Sequence, residues 1–451
     1  MTEFAAIILA AGKGTRMKSD LHKVLHPIAG KPMLEHLLDS FGALEPQRMV
    51  VVVGDRREQV DAALEGRGVL SALQDPQHGT AHAALQAKEA LSGFSGNILV
   101  TFGDVPMVTA ETVRNLLLAL DGGATVAVLG FRPADPLAYG RIIAEDDGTV
   151  LKMVEFKDAS DAERSVDLCN SGLIVAHSHD MWPLLDAVDN DNAQGEYYLP
   201  DVATGAIARG DKVVVVECDP DEVAGINSRA ELADAEQRWQ KERREQAMAD
   251  GATLKAPDTV FFSHDTVLGR DVTVDPHVVF GPGVTIADGV HIKAYTHIEG
   301  ATLATDVQVG PFARLRPGAI LEEGSFVGNF VEMKKATLGP GAKASHLSYI
   351  GDATVGANAN IGAGTITCNY DGYFKYHTVI GERAFIGSNS ALVAPVKIGA
   401  DSIVAAGSTV SRDVAAGELR MVRAEQLVKD GWADRFHDTM KKKKAAEKKG
   451  A

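Results

Sequence analysis

From Ile380 to Val410 the chain reads IGERAFIGSNSALVAPVKIGADSIVAAGSTV, with Ile380, Ile386, Leu392, Ile398, Val404 and Val410 each six residues apart. Gly381, Gly387 and Gly399 follow their rungs directly, and Ala384, Ser390, Ser402 and Ser408 recur four places after a rung. A helix turning about 100° per residue would rotate successive rungs by roughly 240° and scatter them over three faces. One long strand would keep them on one face, but this density of glycine could not sustain it. A six-residue period marks a parallel β-helix of hexapeptide repeats. Each rung is then a short strand pointing its aliphatic side chain inward, with small residues at the corners.

The ladder extends backwards. Val260, Thr266, Val272, Val278, Val284, Val290, Thr296 and Thr302 keep step, as do Leu268, Val274, Phe280, Ile286, Ile292 and Ile298 two places later. The phase slips, resumes at Val309, Leu315, Leu321, Val327 and Met333, and resumes again at Tyr349, Val355, Ile361 and Thr367. Slips in a repeat array are expected to be insertions that bulge out as loops. The longest, Cys368 to Val379, contains the turn signal Asn369-Tyr370-Asp371-Gly372.

The first half belongs to a different class, as expected for 451 residues. Apolar runs Phe4–Ala10, Met49–Val53, Asn97–Thr101 and Thr125–Leu129 suit buried parallel strands. Helical stretches Pro32–Ser40, Thr80–Leu91 and Thr109–Leu120 lie between them. This alternation predicts an α/β domain with a parallel sheet covered by helices and ligands at the carboxyl ends of the strands. Ser228 to Asp250 is free of internal Gly and Pro and reads as one connecting helix. The predicted organisation is an α/β domain at 1–228, a helical linker at 229–249 and the β-helix at 250–451.

Composition narrows the partners. A formal net charge of −16 argues against nucleic acid, whose phosphates need a basic surface. Lys441 to Lys444, with Lys448 and Lys449, read as a solvated tail. Cys169, Cys218 and Cys368 give neither a disulfide framework nor metal-ligand spacing, which suits a reducing cytosol. No signal peptide is evident, and no apolar run approaches the ~20 residues of a membrane span.

Two stretches carry the chemistry of the first half. The first strand runs into Leu9-Ala10-Ala11-Gly12-Lys13-Gly14-Thr15-Arg16-Met17. Two glycines let backbone N–H groups approach a phosphate, and Lys13, Arg16 and Lys23 add positive charge. The spacing fits neither a Walker loop nor a dinucleotide fingerprint, since Met17 stands where the third glycine belongs. At another strand end, Asp104 in Phe102-Gly103-Asp104-Val105-Pro106 is placed to hold Mg²⁺ together with substrate phosphate.

Leu9 to Met17, Lys23, Gln74 with Gly79-Thr80, and Gly103-Asp104 resemble the sugar-phosphate nucleotidyltransferases. So do Tyr139 to Ile142, Val154 to Ala159, Asn170 to Gly172, Asn192 to Tyr198 and Gly225 to Asn227. Gly310 to Gly318, Gly328 to Lys335 and Asn360 to Gly372 narrow the likeness to the bifunctional members that carry a left-handed β-helix and make UDP-N-acetylglucosamine for peptidoglycan and lipopolysaccharide precursors. The resemblance implies acetyl transfer from acetyl-CoA to glucosamine 1-phosphate, then uridylyl transfer from UTP to N-acetylglucosamine 1-phosphate. It also implies a cytoplasmic homotrimer, with acetyl-transfer sites between adjacent β-helices and no membrane insertion.

Residue by residue, the resemblance implies Mg²⁺ on Asp104 and Asn227, and charge stabilisation by Arg16 and Lys23. It implies a UTP and sugar-nucleotide pocket from Leu9, Ala10, Ala11, Gly12, Lys23, Gln74, Gly79, Thr80, Phe102, Gly103, Asp104, Gly140, Glu155, Asn170 and Asn227. Phe102 stands where relatives often have Tyr, so any contact needing a phenol hydroxyl is lost or comes from backbone. In the second half, His346 within Ala344-Ser345-His346-Leu347-Ser348-Tyr349 is the implied general base, an imidazole that titrates near neutrality. Arg316, Lys334, Tyr349 and Asn360 are implied to bind glucosamine phosphate, with Lys335 as the alternative neighbour of Lys334. Ala363, Asn369, Tyr370, Ser388, Ala406 and Arg423 are implied to bind acetyl-CoA.

Two other readings compete. A single-activity nucleotidyltransferase could use its β-helix only to oligomerise, but that leaves Arg316, Lys334, His346 and Asn369-Tyr370 unexplained as a set. A non-catalytic scaffold need not keep Lys13, Arg16, Lys23 and Asp104. His291 and His297 lack a third ligand at suitable spacing and read as solvated.

Overall fold

The computed structural model describes residues 3–136, 139–192 and 194–447, so Ala193 of the 192–198 motif and Lys448 and Lys449 of the tail lie outside it. The chain divides into two compact units, one of residues 1–246 with 262–264, the other of residues 247–261 with 265–451. The helix Arg229–Ala249 runs across that boundary. Among the described residues no helix is long and apolar enough to cross a membrane.

The first unit is built on a nine-stranded sheet. Its strands are β1 (Phe4–Ala10), β2 (Arg48–Val53), β3 (Leu70–Leu73), β4 (Asn97–Phe102), β5 (Val126–Phe131), β6 (Arg141–Ala144), β7 (Val150–Val154), β8 (Cys169–His177) and β9 (Val213–Cys218). The main order is β9-β5-β8-β4-β1-β2-β3, with β6 and β7 attached beside β8. Every residue of β1 is buried because both sheet faces are covered. The two-residue period divides it between two cores: Ala5, Ile7 and Leu9 pack into one, while Phe4, Ala6, Ile8 and Ala10 pack into the other with Leu34, Leu37 and Phe41.

The sheet is not wholly parallel as the alternation predicted. β8 runs antiparallel to both β4 and β5, and β6 and β7 form an antiparallel pair. The register of β8 on β5 shifts between Asn170 and Ile174, where Gly172 takes φ 85°. Such a bulge turns the strand locally and re-aims its side chains, here at Asn170-Ser171-Gly172. The predicted helix Thr80–Leu91 ends at Gln86.

The second unit is a left-handed parallel β-helix. All six rungs from Ile380 to Val410 are buried, as are Ala384, Ser390, Ser402 and Ser408. The serines fit because each hydroxyl donates to a carbonyl three residues back: Ser390 to Gly387, Ser402 to Gly399 and Ser408 to Ala405, at 2.6–2.7 Å. That removes the cost of an unpaired buried hydroxyl.

Two rungs assigned from the sequence point outward. Thr302 is exposed between buried Ala301 and Leu303, and Tyr349 is half-exposed between buried Ser348 and Ile350. The reason lies in the coil length. Thr273 pairs with His291 and Gln308 with Phe326, each exactly three hexapeptides further on. His291 pairs with Gln308, Phe326 with Lys343 and Lys343 with Asn360, and each of these coils is one residue short of three hexapeptides. These slips are therefore single deletions, not insertions. The residue is lost at one corner, where Gly300, Lys335 and Asp352 take the left-handed conformation two places after a buried rung, against three places for Gly283 and Gly318. Only the coil from Asn360 to Phe385 is long, and there Asn369–His377 forms the expected loop.

This phase assignment is testable in urea. Leu303→Ala should cost roughly 3 kcal/mol through cavity formation, whereas Thr302→Ala should change the β-helix transition by less than about 0.5 kcal/mol. The reverse ranking would restore the original phase.

Candidate functional site

In the first unit, β1, β3 and β4 deliver their carboxyl ends to one cavity of ≈ 280 Å³. Its lining includes Leu9, Ala10, Ala11, Gly12, Lys23, Gln74, Gly79, Thr80, Phe102 and Asp104, all expected from the sequence. It also includes His22, Gln77 and Glu196, which sequence reasoning missed.

Gln74 is 4% exposed, and its amide nitrogen is committed to the Gly79 carbonyl (2.9 Å) and His82 Nδ1 (3.1 Å). Its amide oxygen is left to accept from a ligand. Gly79 cannot carry a side chain: at φ 118° an added Cβ would lie 2.7 Å from the Tyr197 nitrogen. The Thr80 hydroxyl accepts from Leu199 N at 2.8 Å and keeps its own hydrogen free to donate.

Lys23 sits at the centre. Its ammonium lies 2.5 Å from Asp104 Oδ2 and 3.0 Å from Asn227 Oδ1. The short helical turn Lys23–Leu25 carries it, and His22 Nδ1 caps that turn by accepting from Val24 N. Burial pushes the His22 imidazole below its usual pKa, against the pull of Asp55, with Lys23 and Arg56 adding to the depression. On the far side, His26 Nδ1 accepts from the Arg229 guanidinium at 3.2 Å, tying the turn to the segment that carries Asn227. Asn227 is further held by Glu231, which accepts from its backbone N–H at 2.8 Å. Asp104 and Asn227 thus present one carboxylate and one amide oxygen, hard donors already gathered around a cation. That set suits Mg²⁺ completed by phosphate oxygens and water.

Gly140, Glu155 and Asn170 do not line this cavity but form a contiguous group beside it. Asn170 N donates to the Gly140 carbonyl at 2.9 Å, and Gly140 lies against the Glu155 carboxylate. Gly172 packs under the Phe102 ring, which links the group to the cavity wall. Gly103 lies behind the wall against Val24 and Ala10. Arg16 is exposed on the turn Thr15–Met17, outside the lining. Lys13 lines a neighbouring cavity with Arg56 and Arg57.

Glu155 also faces a second cavity of ≈ 460 Å³ with Asp158, Asp189, Asp191 and Asp201. Burial, then Asp201 and Asp158, push the Glu155 carboxyl up. Burial, then Asp189 and Asp158, push Asp201 up to about 6.

In the second unit, coil-to-coil hydrogen bonds stack a column of corner residues. Leu347 N donates to Asn329 O, Gly364 N to His346 O, Asn389 N to Ala363 O and Gly407 N to Ser388 O. Asn329, His346, Ala363, Ser388 and Ala406 therefore occupy equivalent positions on successive coils, about 5 Å apart. Arg423 lies over Gly407 at the end of the column. The left-handed residue beside each member changes character along it. His277, Tyr295, Phe312 and Phe330 stack their rings at 4.8–5.3 Å, Leu347 follows, and then come Gly364, Asn389 and Gly407. The edge is broad and apolar up to His346 and narrow beyond it.

His346 Nδ1 and Asn329 Oδ1 lie 2.6 Å apart. An amide oxygen only accepts, so the hydrogen resides on Nδ1 and the lone pair on Nε2. Asn329 was not singled out from sequence, although it precedes His346 by one shortened coil and the repeat itself therefore points to it.

The other predicted residues gather at the opposite edge of the same face. Arg316 donates to Glu332 at 2.7 Å, Glu332 pairs with Tyr349, and Lys334 pairs with Gly351, over which the Tyr349 hydroxyl lies. Asn369 donates to Asp352 at 2.5 Å there, and Lys375 sits 5.8 Å from the Tyr370 ring. Lys375, missed in the sequence, crowds Lys334 so closely that its charge, then that of Arg316, pulls the Lys334 ammonium below its ordinary pKa. Asn360 lies on the His346 side, in the strand that pairs Lys343 with Phe385. One chain therefore divides the predicted acetyl-transfer residues between two edges.

Comparison with known proteins follows this division. The MobA-like NTP transferase domain family matches residues 6–157, and the bacterial transferase hexapeptide (six repeats) family matches residues 265–300 and 377–412. The chain is 66% identical over 447 residues to the bifunctional protein GlmU of Sphingopyxis alaskensis, covering 99% of both chains. It is 68% identical over 447 residues to that of Novosphingobium aromaticivorans, covering 98% of this chain and 99% of the relative. The chain belongs to the GlmU family. It is a bifunctional transferase, a nucleotidyltransferase unit joined to a hexapeptide acyltransferase unit.

The acidic cavity beside Glu155 gives a pH test. The folded chain keeps a proton on Asp201 up to about pH 6, while the unfolded chain releases it near the ordinary value of 3.8, so stability falls as pH rises through that window. Asp201→Asn should remove the loss. Expected is a gain of about 1 kcal/mol at pH 8, allowing for solvent screening, that disappears by about pH 4 in thermal unfolding.

Proposed function

We propose that this chain makes UDP-N-acetylglucosamine by two transfers carried out on separate units, acetyl transfer on the β-helix and uridylyl transfer on the α/β unit. The observation that carries the reading is that each unit holds its own polar constellation, one around Lys23, the other along the His346 column, with no residue in common.

In uridylyl transfer a phosphate oxygen of N-acetylglucosamine 1-phosphate attacks the α-phosphorus of UTP, and the bond to pyrophosphate breaks. Such a reaction asks for positioning and charge neutralisation more than for a covalent protein group. The Gln74 amide oxygen accepts from the uracil N3–H, and the backbone at Gly79-Thr80 frames the base. Gly12 admits the phosphates close to the backbone, and Lys23, with Arg16 folding in from the exposed turn, neutralises them. Asp104 and Asn227 would hold Mg²⁺, which when bound would supply charge neutralisation to the phosphates. Gly140, Glu155 and Asn170 hold the sugar, the Glu155 carboxylate accepting from a hydroxyl.

In acetyl transfer the amine of glucosamine 1-phosphate attacks the thioester carbonyl of acetyl-CoA. His346 Nε2 removes the amine proton as the C–N bond forms, then returns it to the departing thiolate. Asn329 keeps the imidazole in the tautomer that can do this. Ala363, Ser388 and Ala406 give the donor a smooth track along the narrow part of the edge, and Arg423 meets its phosphates. Arg316, Lys334, Tyr349 and Asn360 hold the sugar phosphate, with Lys375 adding charge and Asn369-Tyr370 covering the donor. The acting species is a homotrimer, because the two edges that share the chemistry are apart in one chain.

Two substitutions test the division. His346→Ala should lower acetyl transfer about 10³-fold and leave uridylyl transfer unchanged, and Asp104→Ala should do the reverse. Thiol release reads the first reaction and pyrophosphate release the second. Loss of both activities from either change in folded protein would sink the reading. Asn329→Ala should cost roughly tenfold in acetyl-transfer kcat with little change in the KM for acetyl-CoA, since it orients the base without touching the donor.

A further inference from the structure

Lys23 holds together the two groups assigned to the metal. Its ammonium makes a 2.5 Å ion pair with Asp104 and a 3.0 Å hydrogen bond with Asn227, and both charged side chains are largely shielded from water. Asp104 and Asn227 come from distant parts of the chain, and Ile226 N donates to the Asp104 carbonyl at 2.9 Å, so the pair is fixed by backbone as well. Among the described residues no group of three or more His, Cys, Asp or Glu side chains is arranged to hold a metal ion. One carboxylate and one amide give a bare divalent ion little to exchange for its hydration, and Mg²⁺ dehydrates reluctantly.

We infer that Lys23 is the resident cation of the Asp104–Asn227 pair in the free protein, and that it gives up this place only when the nucleotide's phosphates offer it another partner. This rests on the assignment of Asp104 and Asn227 as metal ligands above. A divalent ion arriving alone must displace an ammonium from the Asp104 carboxylate and then face it at close range. An ion arriving with a triphosphate meets a different balance: the polyanion draws Lys23 outward, and the freed oxygens take the metal. Metal entry is thereby coupled to nucleotide entry, and the carboxylate never lacks a counter-charge. If Lys23 leaves the pair about one-tenth of the time, the affinity for a lone divalent ion is reduced about tenfold.

The Lys23 turn is built for such an exchange. His22 and His26 anchor its two ends through Val24 N and Arg229, so the backbone stays in place while a four-carbon side chain swings. Lys23 already lines the cavity with Gly12 and Gln74, so the movement needs no opening of the unit.

Mn²⁺ binding to the full-length chain, followed by the loss of its free-ion electron paramagnetic resonance signal, tests this without any turnover. Sites elsewhere on an acidic protein are removed by subtracting the titration of Asp104→Asn. Without nucleotide, Lys23→Met should bind Asp104-dependent Mn²⁺ about tenfold more tightly than the wild type, and Lys23→Arg should bind as weakly as the wild type. With saturating UTP the wild type should gain most of the difference. Equal binding of lone Mn²⁺ by the wild type and Lys23→Met would overturn the inference, as would tight binding by Lys23→Arg. Should Lys23→Met fail to fold, Lys23→Gln must show the same rise. If Asp104→Asn binds Mn²⁺ with UTP as well as the wild type does, the metal assignment itself fails, a result distinct from failure of the exchange.

Discussion

A β-helix must turn a corner with every hexapeptide, and most corners here use one residue in the left-handed conformation. Everything in the second unit depends on that constraint. Asp271, His277, Tyr295, Asp306, Phe312 and Phe330 accept this conformation although none is glycine. Such a residue ordinarily costs roughly 1 kcal/mol or more, and here the cost is offset by coil-to-coil hydrogen bonds on either side. Because corners stack, any side chain beside a corner acquires neighbours that lie a whole coil away in sequence. His346 gains Asn329 below and Ala363 above in this way, with no local motif required.

That constraint also explains which parts of the protein were legible in the sequence. The six-residue period was plain wherever a coil held three full hexapeptides, and the rungs from Ile380 to Val410 are all inside. It misled at Thr302 and Tyr349, because a shortened coil shifts the inward positions by one and a side-chain pattern does not say at which corner the residue is missing. Strand β1 was legible because burial on both faces leaves an unbroken apolar run. The antiparallel direction of β8 was not, since an apolar strand reads alike in either direction. The site residues of the first unit were largely named through the resemblance, but His22 and Gln77 lay outside every motif it rested on, and Glu196 lay within one without an assigned role. His22 is a cap and a wall at once, and only the fold shows that its imidazole closes the floor beneath Gly12.

The two units solve the problem of charge by different means. The first gathers its polar groups at the carboxyl ends of strands, where chain direction brings distant loops to one place. Asp104 and Asn227 lie 81 and 204 residues from Lys23 in sequence, yet both meet its ammonium within 3.0 Å. Opposite charges are thus paired within the pocket wall itself. One edge of the second unit keeps like charges side by side, although Arg316 also pairs with Glu332. Arg316, Lys334 and Lys375 crowd one edge, and the depressed Lys334 ammonium records the repulsion. An edge with that excess of cations is stabilised when a phosphate settles on it.

Geometry then sets what the second unit needs. His346 and Gly351, the partner of Lys334, are close in sequence, and the chain between them spans at most about 17 Å. The amine and phosphate of glucosamine 1-phosphate sit on neighbouring carbons. A base at one edge and a phosphate cluster at the other meet the same sugar only if long side chains lean inward across the face, or if an edge of a second copy supplies one of them. The exposed Phe312, Phe330 and Leu347 favour the second arrangement. They leave the edge beside His346 apolar where a monomer would be expected to be polar, and burying them against another copy would remove that surface from water. Assembly and catalysis would then be one requirement of the fold, since the edge that needs covering is the edge that carries the base.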